Sequence, residues 1–261
     1  MRHRVLFLLF VLLGGCTEFN PVTRQQELIL YSTDREVKIG STVARQVEKE
    51  YEVVANPQVI ARINRIVDRL VPFAERRDIA YFVRVIKAKD EEKEVGADIN
   101  AFALPGGYIY LYDGLIDFAD NDDQIACVIA HEIGHIVVKH GIKRLQAQMG
   151  YTLLALASVG IGDAELMQGA TAVFASALMA YSQEDELLAD ELGVRYAQKA
   201  GYDPHAMITF LEKLQEKKRK EPLRAKQIFR THPYFSERAS MIKKHLGEPL
   251  SITDYVNITN Q

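Results

Sequence analysis

The chain has 261 residues, 48% of them hydrophobic and 26% charged, which is the composition of an ordinary globular protein long enough for one sizeable core. Its 32 basic and 35 acidic side chains leave a net charge of −3, so nothing in the charge balance favours nucleic acid as a partner. No internal repeat or low-complexity tract is visible, which argues against a solenoid.

Residues 1–15 read as a secretory signal: a basic start, "MRHR", then the apolar run "VLFLLFVLL", then small residues. That run is too short for a membrane-spanning helix, which needs about 20 apolar residues. The stretch "LGGC", Leu13 to Cys16, resembles the lipobox of bacterial lipoproteins. The resemblance implies cleavage before Cys16, acylation of its sulfur, and a lipid-anchored linker over residues 16–22. Each buried CH₂ of an acyl chain contributes about 0.8 kcal/mol, so several chains give a stable anchor. Thr17 rather than Asp after the cysteine points to the outer membrane in enterobacterial-type sorting. With Cys16 acylated, Cys127 is left without an intramolecular disulfide partner.

Residues 23–261 read as one domain. From about Thr23 to Glu75 the pattern is helical, with Ile60, Ile63, Val67 and Leu70 forming an apolar stripe and Pro57 suited to a helix start. "IAYFVRVIKA" is rich in β-branched and aromatic residues and reads as a strand. "ADINAFALPGGYIYLYDGLI" reads as two short strands around the turn Pro105–Gly107. Helical patterns dominate from Asp122 on. Two apolar segments, "TLLALASVGIG" and "GATAVFASALMAYS", are shorter than the roughly 18 residues of a membrane span and read as buried or lid-forming helices. The fold class expected is α+β: mainly helical, with a small sheet beside the helix that carries the chemistry.

That chemistry is concentrated in "CVIAHEIGHIVVKH". Residues four apart on a helix are separated by only about 40°, so His131 and His135 project from one face and can share one ion. Glu132 lies about 100° round, placed to reach a water rather than to ligate. Zinc suits such a site, with three protein ligands and one open position, so a third ligand is required. The metzincin continuation fails, because Val138 and Gly141 stand where Gly and His are needed. Thermolysin-like gluzincins take a glutamate from a later helix, and in "YSQEDELLADELG" Glu186 and Asp190 are four apart on one helical face. Glu186 could ligate while Asp190 orients a ligating histidine. His140 lies about 140° round from His135 on a continuous helix and is expected to face away. Cys127 reads as a small buried hydrophobe.

Together, "NPVT" at Asn20, "INAFALPGG" from Ile99, "HEIGH", "ELLAD" and "THPYFSER" from Thr231 resemble the HtpX/BepA/LoiP group of zinc metallopeptidases. This is metallopeptidase family forty-eight, whose eukaryotic relatives include the CAAX prenyl proteases. The resemblance covers most of the mature chain and implies a mainly helical gluzincin-type fold, one zinc ion per chain and peptide-bond hydrolysis. It implies that Asn100, Ala101, Phe102 and Ala103 lie on an edge strand that receives an extended substrate, as in β-augmentation. It also implies that His232 is a fourth, switch ligand or an oxyanion stabiliser, with Arg238 near it pairing a carboxylate. Tyr181 is a further candidate donor to the oxyanion. Unfolded or misassembled envelope proteins are the implied substrates, and a smaller member without tetratricopeptide repeats is the implied type. Two alternatives stay open: a chaperone-like module whose zinc site is shut, and a purely structural zinc protein, against which Glu132 speaks.

Overall fold

A computed structural model describes residues 17–88, 99–147, 181–220 and 231–259. The signal segment, Cys16 and nearly all of the two apolar segments after Gly150 lie outside the described residues.

A short hairpin comes first, β1 (Thr17–Asn20) paired antiparallel with β2 (Gln25–Leu28). Helix α1 (Thr33–Glu50) starts where the Ser32 hydroxyl accepts from the Arg35 N–H. It runs directly into β3 (Tyr51–Val53). Helix α2 (Pro57–Leu70) is capped by Asn56 and has Pro57 in its first turn, where a missing N–H costs nothing. Its inner face is Ile63, Ile66, Val67 and Leu70, whereas Ile60 is 44% exposed. The stretch from Thr23 to Glu75 is therefore not helical throughout: strands β2 and β3 interrupt it, and the stripe begins one turn later than the spacing suggests.

Strands β4 (Phe82–Ala88), β5 (Ala101–Leu104) and β6 (Tyr108–Tyr112) join β3 in a four-stranded sheet of order β3-β4-β6-β5. β5 and β6 form the expected hairpin around Pro105–Gly107, and β3 pairs antiparallel with β4. The central pair, β4 with β6, is parallel, with Val83 opposite Ile109 and Val85 opposite Leu111. Both outer pairings are antiparallel, and among the described residues β5 is the outermost strand on its side.

Short helix α3 (Asp113–Phe118) leads to α4 (Asp122–Val137), capped by Asn121 and buried from Gln124 to its end. A helix buried all round must lie at the centre of its domain. Here the sheet and α2 cover it on one side, and α6 (Gln183–Lys199) and α7 (Ala206–Lys220) on the other. At Lys139 the backbone turns left-handed, φ 59°, and the chain resumes at 47° to α4 as α5 (His140–Ala147). Helices α8 (Phe235–Leu246) and α9 (Ile252–Thr259) close the fold. No single described helix is long and apolar enough to cross a membrane; α4 and α5 pass that test only as a bent pair, and α4 is core.

A buried ionic node ties the layers together. Arg76 Nη1 lies 2.8 Å and 3.0 Å from the two Glu36 oxygens and donates to the Ile136 carbonyl at the end of α4. Glu36 also accepts from the Gly106 N–H in the turn between β5 and β6. Lys139 extends the node to Glu18 of β1, Nζ to Oε2 2.6 Å.

Candidate metal centre

The centre begins with how closely α4 and α6 approach. A Cβ on Gly193 would stand 2.9 Å from the His131 nitrogen, and one on Gly134 would stand 3.0 Å from the Ala189 carbonyl. Only hydrogen fits at these two places, and the contact brings the first turn of α6 beside the two histidines of α4. Gly193→Ala must push backbone against backbone, and a loss of about 1–3 kcal/mol is expected in urea unfolding, as for other overpacked interiors. A wild-type midpoint and slope would show that the helices have room to spare.

His131, His135, Glu186 and His232 then each present one donor atom, all within 4.8 Å of one another. The His131 and His135 Nε2 atoms are 3.1 Å apart, and His232 Nδ1 is 3.3 Å from His131 Nε2. Glu186 Oε1 lies 3.5 Å from His135 Nε2 and 2.9 Å from His232 Nδ1, and its Oε2 lies 3.6 Å from His131 Nε2. Four donors at about 2.0–2.1 Å from a tetrahedral zinc are about 3.3 Å from each other, so the spacings fit that ion. The chemistry of the donor set agrees. Two ring nitrogens facing each other at 3.1 Å either share one proton or, with both lone pairs bare, need a shared cation. A nitrogen and oxygen set without sulfur suits zinc.

The ligand candidates are held from behind. His131 Nδ1 is 2.8 Å from Asp190 Oδ1, which fixes its ring with Nε2 toward the cluster. Arg238 grips Asp190 with two bonds of 2.7 Å and reaches Glu186 Oε2 at 2.7 Å with its other terminal nitrogen. Burial opposes charge on Glu186, but the facing His232 and Arg238 hold it well below the usual carboxylate range. Burial drives His135 well below the ordinary imidazole value, leaving it neutral and able to donate a lone pair.

Glu132 sits beside the cluster without joining it. Its Oε1 is 3.4 Å from His232 Nε2, and its buried Oε2 has no hydrogen-bond partner in the described structure. Burial pushes its carboxyl up from the ordinary value, against the pull of His232 and His131. His232 is pushed the other way from its own burial, upward, because Glu186 and Glu132 face it.

Next to Glu132 and His232 opens a cavity of about 40 Å³, walled by Leu115, Val128, Phe210, Leu211, Leu214 and Phe235. A larger space of about 540 Å³ between α7, α8 and α9 contains none of the centre's residues. Asn100 and Ala101 line the mouth of the small cavity, and the Thr231 hydroxyl donates to Asn100. Asn100, Ala101, Phe102 and Ala103 are all buried, so β5 has little to offer a ligand except its outer row of backbone groups.

Three residues stand differently from expectation. His140 does not face away: its Nδ1 is 2.8 Å from His135 Nδ1, because the break at Lys139 swings it back under α4. Tyr181 lays its ring on His135, centroids 3.8 Å apart, so its contact with the centre is a ring face rather than a hydroxyl. Asp185, which the sequence did not single out, closes a capping box with Ser182 and lies 3.2 Å from His140 Nε2. The pattern Ser182-x-x-Asp185 was the available sign of that helix start. Cys127 points elsewhere, toward the Asp203 carbonyl, and burial pushes its thiol up. Native protein at pH 8 should leave Cys127 unalkylated while urea-unfolded protein is modified, read by peptide mass mapping; rapid native labelling would refute the burial.

Comparison with known proteins points to metallopeptidases. The chain is 33% identical to the Beta-barrel assembly-enhancing protease of Escherichia coli over 77% of its own length, and spans 42% of that relative. It is 28% identical to the Metalloprotease LoiP of Escherichia coli, covering 82% of each chain. It is 22% identical to the Mitochondrial metalloendopeptidase OMA1 of Schizosaccharomyces pombe, over 88% of this chain and 67% of that one. The Peptidase family M48 profile matches residues 57–246, which carry every side chain of the centre described above. The chain belongs to peptidase family M48, the zinc-dependent metallopeptidases.

Proposed function

We propose that the chain is an endopeptidase of the bacterial cell envelope that cuts unfolded or misassembled polypeptides. The observation that carries the reading is the four-donor cluster with Glu132 beside it, one of its oxygens without a hydrogen-bond partner and outside the ligand set. His131, His135 and Glu186 would hold the zinc, and His232 stands within reach as a fourth donor. Zinc, when bound, polarises the scissile carbonyl and makes water acidic enough to attack near neutral pH. Glu132 would take a proton from the attacking water on its free oxygen and return it to the leaving amine. His232 must swing aside for a carbonyl to enter, after which its ring can donate to the developing oxyanion.

An extended peptide adds to the outer edge of β5 at Asn100–Ala103, held through its backbone with little sequence preference. The small cavity beside Glu132 takes an apolar side chain, the kind that folded proteins bury and unfolded ones expose. Lipid attachment at Cys16 would keep the enzyme at the membrane where such chains gather. The name of one relative, the Beta-barrel assembly-enhancing protease, and the place of β5 at the end of the sheet order support this substrate class.

The test is digestion of a purified outer-membrane β-barrel protein, offered unfolded in urea-diluted form and folded in detergent. Zinc-loaded enzyme should cut the unfolded form and spare the folded one. Equal cutting of both would remove the unfolded-substrate reading, and no cutting of either would favour a second reading. In that reading, suggested by the closed contacts of His232 with Glu186 and Glu132, the chain holds unfolded segments with its centre shut. Suppression of aggregation without cleavage would then be the result.

A further inference from the structure

His131 and His135 are oriented in different ways. Behind His131 stands a carboxylate, Asp190, at 2.8 Å. Behind His135 stands another imidazole, His140, with the two Nδ1 atoms 2.8 Å apart. Two ring nitrogens at that distance can share only one proton. If each carried one they would clash, and if neither did, their lone pairs would repel.

The direction of sharing follows from the rest of the geometry. His135 Nε2 faces the Nε2 of His131 and the Glu186 carboxylate, so a proton there would fill the space of the ion. The His135 proton therefore belongs on Nδ1, donated to His140. His140 must then offer a bare Nδ1 and carry its own proton on Nε2, where Asp185 Oδ1 waits at 3.2 Å. Asp185 uses its other oxygen to accept the Ser182 N–H in the capping box of α6, whose next residue is Glu186. One helix start thus fixes both the third ligand and the far end of the chain that orients the second.

We propose that His140, backed by Asp185, is the positioning residue that holds His135 in its metal-binding tautomer. This rests on the reading that His135 binds zinc through Nε2. His140 touches neither substrate nor metal, and its part is to accept one proton at one atom.

The test is zinc affinity by chelator competition on the full domain, for wild type, His140→Leu and His140→Asn. Asn places an amide oxygen where Nδ1 stood and can still accept; Leu fills the space but cannot. His140→Leu should weaken zinc binding about 10- to 100-fold, the usual effect of losing such a partner, while His140→Asn stays within a few-fold of wild type. Leu binding as tightly as wild type, or Asn losing as much as Leu, would overturn the proposal. Should His140→Leu fail to fold, long-range ¹H–¹⁵N spectra of zinc-loaded wild type decide instead. They should show His140 protonated at Nε2 and bare at Nδ1, and the opposite tautomer would overturn it. A wild type that binds no zinc at all would sink the metal reading itself, which separates the two failures.

Discussion

Glu132→Gln should leave zinc content and thermal stability unchanged and reduce peptide cleavage by at least about 10²–10⁴-fold. The reasoning is local. Glu132 makes no hydrogen bond through Oε2, so an amide there leaves no protein partner unsatisfied. It is not needed for the donor cluster, which His131, His135, Glu186 and His232 complete without it. Removal of its negative charge spares the cost of burying it and relieves a repulsion with Glu186, which offsets the lost attraction to His232 and His131. What the amide cannot do is accept a proton. Cleavage by Glu132→Gln at the wild-type rate would take Glu132 out of the mechanism.

The second large effect is structural. Arg238 is 2% exposed and serves two buried carboxylates at once, Asp190 through a two-bond fork and Glu186 through Nη1. Arg238→Met keeps much of the volume and leaves Asp190 with only His131 and Glu186 with only the facing histidines. Removing one partner of a buried pair costs about 3–5 kcal/mol, because the remaining charge has lost its main counter-ion away from water. Urea unfolding in the presence of a chelator should show that loss. Chelation matters because a bound cation would itself compensate Glu186 and hide part of the effect. A change below about 1 kcal/mol would mean that water reaches the acids.

Much of the centre was legible because it is built from helix periodicity. His131, His135, Glu186 and Asp190 lie at four-residue spacings, and such spacings fix a shared face whatever the tertiary structure. The turn at Pro105–Gly107 and the start at Pro57 were equally local, since proline and glycine restrict or permit particular backbone angles. What escaped was decided by contacts distant in sequence. His140 was placed by angle on a helix that in fact ends at Val137, and nothing local marks the break. Lys139 takes a left-handed conformation with its ammonium held by Glu18 and near Glu36, residues more than a hundred positions away. The parallel pairing of β4 with β6 also depends on packing across the sheet. Ile60 was assigned to the core by spacing alone, yet the elements packed on α2 begin one turn further on.

The claim on which the rest depends is that nitrogen and oxygen donors from α4 and α6 hold one zinc. X-ray absorption at the zinc edge, on domain loaded with a single equivalent, tests it most directly. The expected spectrum has only nitrogen and oxygen neighbours at about 2.0–2.1 Å, with histidine multiple scattering from at least two rings. A sulfur neighbour at about 2.3 Å would bring Cys127 to the metal and contradict the centre described here, as would a chain that holds no zinc against a weak chelator.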